Sequence, residues 1–377
     1  MRLQNDMLNN VLFVSHTAEP GGAELAIARY LNAKEESAPQ ILFLEPGPVA
    51  DQVAGAIVGP TGSSNSAKVR IINDTIRQLR PTMVVSNTMR AALLVGLSRV
   101  RTSDHVYYLR DELSAAHLSW SKNLIMEMLL RFRVGGIVAN SAPTVESIPS
   151  SRLRRSAQIA MSCSGMTDVA VEAARTKRKM SAEGPVKLLS LSRIAEWKGQ
   201  HVLLEALDVL ANRGVDQSAL TVTIAGAPLF GEKQYAARVA EMASNSPFEV
   251  RMVGHQSDVA NVLRSHDLLV HTSLSPEPFG QVIVQGLAHG LGVVASSGGG
   301  PSEILRDGAG MLWKTNDVES LADCIAEMMK PSTRQQYVER GFTRALEYTD
   351  ARAVESLDGV LSSYLAHRWS GDLMECE

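Results

Sequence analysis

The sequence predicts an α/β protein made of two Rossmann-like, doubly wound domains in tandem, facing a cleft. Three observations point there. Short apolar runs alternate with longer amphipathic stretches, the pattern of parallel sheets covered by helices. The chain has 377 residues, more than the ~100–200 of a typical domain. The alternation pauses once near the middle and then resumes.

In the first half, Val11–Ser15, Ile41–Leu44, Met83–Ser86, Val106–Leu109 and Gly136–Ala139 read as buried strands. Ala23–Ala33, Asn65–Leu79 and Leu124–Phe132 read as the helices between them. Residues 171–185 are basic, poor in apolar side chains and end in Gly184-Pro185, a linker composition. Strands resume at Val186–Leu191, Leu220–Ala225, Glu249–Val253, Leu268–His271 and Val293–Ala295. From about Thr333 the pattern is helical only.

Composition narrows the function. Hydrophobic residues make up 45% and charged residues 20%, ordinary for a globular protein able to bury sizeable cores. Lys and Arg number 37 against 40 Asp and Glu, a net charge of −3, which argues against a nucleic-acid partner. That balance hides an asymmetry: residues 1–180 sum to +6 and residues 181–377 to −9. Cys163, Cys324 and Cys376 are odd in number and far apart, so a disulfide framework is not expected and a reducing compartment is. No apolar run approaches the ~18 residues of a membrane span. Val11–Val14 is too short for a signal-peptide core, so a cytoplasmic location is expected.

Open α/β sheets bind ligands outside the carboxyl ends of their strands, which directs attention to four loops. Pro20-Gly21-Gly22-Ala23-Glu24 opens the first helix and is either an anion-holding turn or a plain βα turn. Arg193 and Lys198 share the loop after Val186–Leu191, suited to a diphosphate or simply a solvated basic pair. Ser275–Ala288 places Glu277 in a loop, a helix start near Phe279 or Gly280, and Gln285 on that helix. Helix-start amides there can donate to phosphate, while Glu277 and Gln285 can hydrogen-bond sugars or serve as a helix cap and a surface residue. Gly298-Gly299-Gly300-Pro301-Ser302-Glu303 is either a close-approach loop or a flexible turn.

Taken together, and over nearly the whole chain, these loops resemble family 4 of the retaining glycosyltransferases (glycosyl transferases group 1, GT-B fold). The most specific part is Glu277-Pro-Phe-Gly-x-Val-x-x-Gln285, similar to the family's E-x7-E signature. Asn140-Ser141, Ser164-Gly165 and Asp307-Gly308-Ala309-Gly310-Met311-Leu312 follow the family's order. The resemblance implies an acceptor-side domain over 1–175, with a C-terminal helix at about 352–377 packing back on it, and a donor domain over 185–350. It implies a UDP- or GDP-type sugar donor and a hydroxyl of a glycan, lipid-linked or small-molecule acceptor. Arg193 and Lys198 would hold the diphosphate and stabilise its leaving charge. Glu277 would contact the transferred sugar, the amides of Phe279 and Gly280 the phosphates, and Gln285 the ribose. Gly21 and Gly22 would close over the donor, and Gly254 with His255 would border the base. Arg193, Lys198 and Glu277 form the expected catalytic set. Attack on the same face as departure, with the donor phosphate taking the acceptor proton, requires no protein nucleophile. No cofactor beyond the donor substrate is implied. With no Asp-x-Asp and no paired His or Cys spacing, no metal is expected.

Two positions depart from the family pattern. Gln285 stands at the second Glu, losing a charge-assisted hydrogen bond. Arg110-Asp111 stands where His-Asp is usual, and Arg110 is unable to act as a base but suited to an acceptor phosphate or carboxylate. These departures keep a second class open, a non-catalytic nucleotide-binding or scaffold protein on the same fold. An epimerase of similar build would need proton-transfer groups that no motif places. His16 and His117 receive no role. Residues 118–133 carry Leu118, Trp120, Leu124, Ile125, Met128, Leu129 and Phe132 among Lys122, Arg131 and Arg133, with Arg152, Arg154 and Arg155 beyond. This reads either as a core-facing helix or as a basic amphipathic one lying on an anionic membrane, peripheral at the inner face.

Overall fold

The computed structural model describes residues 8, 10–34, 39–113, 120–177, 184–229 and 231–369. His117, Leu118 and Cys376 lie outside them, as do residues 178–183 of the expected linker. The chain divides into two compact units, Met1–Gly165 with Asp350–Glu377, and Met166–Thr349.

The first unit holds β1 (Val11–Ser15), β2 (Gln40–Phe43), β3 (Ile57–Val58), β4 (Met83–Ser86), β5 (His105–Leu109), β6 (Gly136–Ala139) and β7 (Gln158–Ile159). They form one parallel sheet in the order β3-β2-β1-β4-β5-β6-β7. β1 is buried along its whole length because helices cover both faces. Alternation then sorts its side chains. Val11 and Phe13 pack with Ile27, Tyr30 and Leu31, while Leu12 and Val14 pack with Ile72, Leu94 and Val95. Between β1 and β4 the strand order reverses, and sheets of this kind take ligands at the carboxyl ends beside such a switch point.

The second unit holds β8 (Val186–Leu191), β9 (Leu220–Ala225), β10 (Glu249–Gly254), β11 (Leu268–His271), β12 (Gly292–Ser296) and β13 (Met311–Trp313). They form a parallel sheet in the order β10-β9-β8-β11-β12-β13, reversing between β8 and β11. The short strands β3, β7 and β13 escape a reading by apolar runs, since two or three residues carry no periodicity.

The C-terminal helix Asp350–Trp369 belongs to the first unit. Ala353, Leu357, Leu361 and Leu365, spaced by one turn, complete the core around β1 and β2. Tyr30 Oη donates to Asp358 at 2.6 Å, and Tyr364 Oη donates to the Ile137 carbonyl at 2.8 Å. Asp350 Oδ1 accepts from the amides of Ser164 at 2.7 Å and Gly165 at 3.0 Å, fixing the return beside the exit. The first division falls ten residues before 175. Residues 168–177 are helix, not linker, with Val171 fully buried and Arg175 3.6 Å from Glu339. Amphipathic spacing outweighs the polar composition there.

Candidate active site

The second unit gathers its polar side chains at the carboxyl ends of β8 and β11, the two strands flanking the switch point. Lys198 Nζ makes an ion pair with Glu277 Oε2. The same carboxylate oxygen accepts from Ser273 Oγ at 3.1 Å and lies 3.2 Å from His271 Nε2. His271 Nδ1 faces Ser296 Oγ at 3.4 Å, so the network is satisfied by the Nε2–H tautomer, with Ser296 as donor. The fully buried Trp313 anchors the strand end by donating its indole N–H to the His271 carbonyl at 3.1 Å.

Backbone shape holds the two loops together. Gly199, at φ 66°, packs so closely that a Cβ would stand 2.2 Å from the Thr272 carbonyl oxygen. Thr272 Oγ1 donates to the Lys198 carbonyl at 2.8 Å, and the Leu274 amide to the Trp197 carbonyl at 2.7 Å. On the far side Gly299, at φ 65°, leaves 2.3 Å between its absent Cβ and the Glu277 carbonyl oxygen. Either position with a side chain would push Lys198 and Glu277 apart.

Electrostatics follow from this packing. Burial pushes the Glu277 carboxyl up, but the Lys198 ammonium and His271 more than offset it, and Glu277 stays ionised well below the usual carboxylate range. Burial lowers His271, and Glu277 opposes this only in part, so His271 is neutral near pH 7. Both native groups bind protons less readily than their ordinary values of 6.5 for His and 4.5 for Glu. Their contribution to stability is present above those values and is lost as pH falls through the lowered native ones. The melting temperature is therefore expected to fall between pH 7 and pH 5, and to fall less in His271→Gln. Parallel pH curves for the two proteins would contradict the assignment.

Arg193 is half-buried after β8. Gln200 fixes its backbone, donating through Nε2 to the Arg193 carbonyl at 2.8 Å and to Ser192 Oγ at 2.9 Å. Lys198 Nζ sits 4.0 Å from the Trp197 ring centroid and the Arg193 guanidinium carbon 6.0 Å from it, so one indole orders both cations. The helix expected near Phe279 runs Gln281–Ala288, capped by Gly280 at φ 107°. Among the described residues the amides of Phe279 and Gly280 make no hydrogen bond, leaving two donors at a helix start. Gln285 lies one turn into that helix, half-buried. Gly254 ends β10 and His255 follows it, exposed, on the outer strand beyond β9. The structure thus brings Lys198 and Glu277 into contact, with Arg193 on the Lys198 loop and Phe279, Gly280 and Gln285 following Glu277 in the chain.

Gly21, Gly22, Arg110 and Asp111 belong to the first unit. Gly21 caps the helix Gly22–Ala33, and its tight fit is against Glu24, whose Oε1 accepts from Ser15 Oγ at 3.1 Å. His16 Nδ1 lies 3.0 Å from Thr88 Oγ1. His271, Ser273 and Gln200 escape sequence reasoning. The available signal is a histidine closing an otherwise apolar strand at its ligand-binding end.

Two parallel Rossmann-like sheets in tandem, of seven and six strands, are the fold of the GT-B class. Residues 173–344 match the family model for glycosyl transferases group 1. The lipopolysaccharide core biosynthesis glycosyltransferase LpsE of Rhizobium meliloti (strain 1021) is 30% identical over 209 residues, covering 54% of this chain and 57% of the relative. The D-inositol 3-phosphate glycosyltransferase of Nocardia farcinica (strain IFM 10152) is 29% identical over 203 residues, covering 52% and 44%. The chain spans only about half the length of these curated relatives. In structure the chain is similar to Anabaena HepE in complex with UDP and glucose, with a TM-score of 0.78 at 22% identity, covering 94% of this chain and 99% of that one. Similarity to WaaG, a glycosyltransferase involved in lipopolysaccharide biosynthesis, has a TM-score of 0.64 at 15% identity, covering 94% and 99%.

Proposed function

We propose that the protein is a retaining glycosyltransferase that moves a sugar from a nucleoside-diphosphate sugar to a hydroxyl acceptor. The observation that carries this reading is the Lys198–Glu277 pair beside Arg193 and the helix start at Gly280. It sets cations and amides suited to a diphosphate against a carboxylate suited to sugar hydroxyls. UDP is the favoured nucleotide, because HepE binds UDP and glucose on a similar fold. In the reaction the bond from the anomeric carbon to the diphosphate breaks and a bond to the acceptor oxygen forms. The acceptor proton passes to the departing diphosphate. Arg193, Lys198 and the Phe279 and Gly280 amides stabilise that leaving charge without a metal. Glu277 is already committed to Lys198, His271 and Ser273, which suits an orienting role better than a nucleophile's. A panel of UDP- and GDP-sugars, scored by melting temperature and by nucleotide release, tests the reading. A donor that both stabilises the protein and turns over supports it. Binding without turnover on any donor favours the scaffold alternative, and no response to any nucleotide overturns the donor site.

The reading extends to an anionic membrane as the surface where a lipid-linked acceptor is met. The helix Trp120–Phe132 buries Met126, Leu129 and Leu130, yet leaves Leu124, Ile125, Met128 and Phe132 about half exposed on another face. Lys122 and Arg131 are exposed on the same helix. Leu153 shares its core cluster and carries the exposed Arg152, Arg154 and Arg155 beside it. Apolar and basic groups together suit interfacial adsorption. Among the described residues no helix is long and apolar enough to cross a membrane. The protein is expected to sediment with phosphatidylcholine–phosphatidylglycerol vesicles and not with pure phosphatidylcholine, with loss in Met128→Ser/Phe132→Ser. Equal sedimentation of that variant would contradict insertion of this face.

A further inference from the structure

At the carboxyl ends of β4 and β5, beside the switch point of the first sheet, two buried polar groups have needs the protein does not meet. Arg110 follows β5 and is 7% exposed. Its Nη1 donates to Ser162 Oγ at 2.8 Å, and its guanidinium lies 3.9 Å over the Tyr108 ring. Its Nε–H is buried without an acceptor. Among the described residues no carboxylate stands within ion-pairing distance of it. Asn87 follows β4 and is fully buried. Its Nδ2 donates to the Ala23 carbonyl at 3.1 Å, which turns Oδ1 the other way, buried and without a donor.

A buried cation ordinarily holds a countercharge, because an unpaired one is costly to desolvate. The acids near Arg110 are poor candidates for that role. Glu24 is occupied by Ser15, and burial holds its carboxyl above the ordinary range. Asp111 reaches solvent at its surface, yet desolvation also raises its carboxyl against the pull of Arg110. What is missing is an anion for Arg110 and a hydroxyl for Asn87, on adjacent strands at the edge where such sheets take ligands.

We propose that this edge anchors the acceptor, and that the acceptor is a polyol bearing an anionic group, a phosphate or a carboxylate. Arg110 takes the anion, and Asn87 Oδ1 accepts from a hydroxyl. Ser162 is a positioning residue that holds the guanidinium. The word acceptor rests on the transferase reading, whereas the anion–polyol site rests on these residues alone.

The test titrates the full-length protein with glucose 6-phosphate, glucuronate and glucose at matched ionic strength. Saturating UDP is present to occupy the cations of the second unit, and melting temperature is the readout. At least one anionic probe is expected to raise it clearly more than glucose does, and which one identifies the anion. Arg110→Gln should abolish that difference, and Arg110→Lys should keep part of it, having the charge without the planar fork. Ser162→Ala and Asn87→Ala should each reduce it, and they carry the test if Arg110→Gln does not fold. Equal shifts from glucose and both anions, or an undiminished anion shift in the folded variants, would overturn the proposal. Failure of the transferase reading registers separately, as no stabilisation by UDP. The anion shift and its dependence on Arg110 then still decide the site.

Discussion

Lys198→Ala is expected to lower sugar transfer about 10²–10³-fold, the usual cost of removing one preorganised donor from developing negative charge. The ammonium is already oriented in the free protein, by Glu277 on one side and the Trp197 ring on the other. Little reorganisation is left for the moment when charge builds on the departing diphosphate. The same substitution strands Glu277, largely buried, with His271 and Ser273 as its remaining partners. Its carboxyl should titrate higher, and the melting temperature should drop. Lys198→Arg is expected to recover stability better than transfer, because a planar fork does not reproduce a compact ammonium. The check is kcat/KM for nucleotide release in the three proteins. A Lys198→Ala enzyme within twofold of the parent would remove Lys198 from the chemistry.

Glu277→Gln is expected to move binding and transfer in opposite directions. In the free protein the Glu277 carboxylate neutralises Lys198 and stands as a like charge to an incoming phosphate. An amide of the same shape frees the ammonium, so UDP should bind several-fold tighter. Transfer should still fall about 10–100-fold, the loss from replacing hydrogen bonds between a charged acceptor and sugar hydroxyls, each worth ~1.5–3 kcal/mol. Calorimetry with UDP and initial rates with the donor sugar separate the two. If Glu277 were only a structural prop for its loop, both quantities would decline together.

The candidate site was legible wherever its residues sit in contiguous motifs. Arg193 and Lys198 share one loop, and Glu277 through Gln285 share another, so spacing alone brings them near strand ends. The helix start at Gly280 was legible too, because glycine and a following apolar period mark it. His271 and Ser273 were not, because their importance arises from strand β11 lying beside β8, a pairing between residues about eighty positions apart. Gln200 reads as an ordinary helix residue until its hydrogen bonds to the Arg193 carbonyl and Ser192 are seen. The unit division near Gly165 was hidden by a helix whose exposed face is as polar as a linker. The amphipathic segment 118–133 was ambiguous for a physical reason: the helix Trp120–Phe132 has two apolar faces, and only packing shows which one the core takes.

Arg193 and Lys198 of the second unit are proposed to hold a nucleoside diphosphate. Equilibrium binding of UDP to the parent protein, Arg193→Ala and Lys198→Ala, at one fixed salt concentration, tests this proposal most directly. Saturable binding to the parent is expected, weakened about tenfold or more in each variant, since a charged hydrogen bond is worth ~1.5–3 kcal/mol. Absence of UDP binding by the parent, or equal affinity in all three folded proteins, would contradict it.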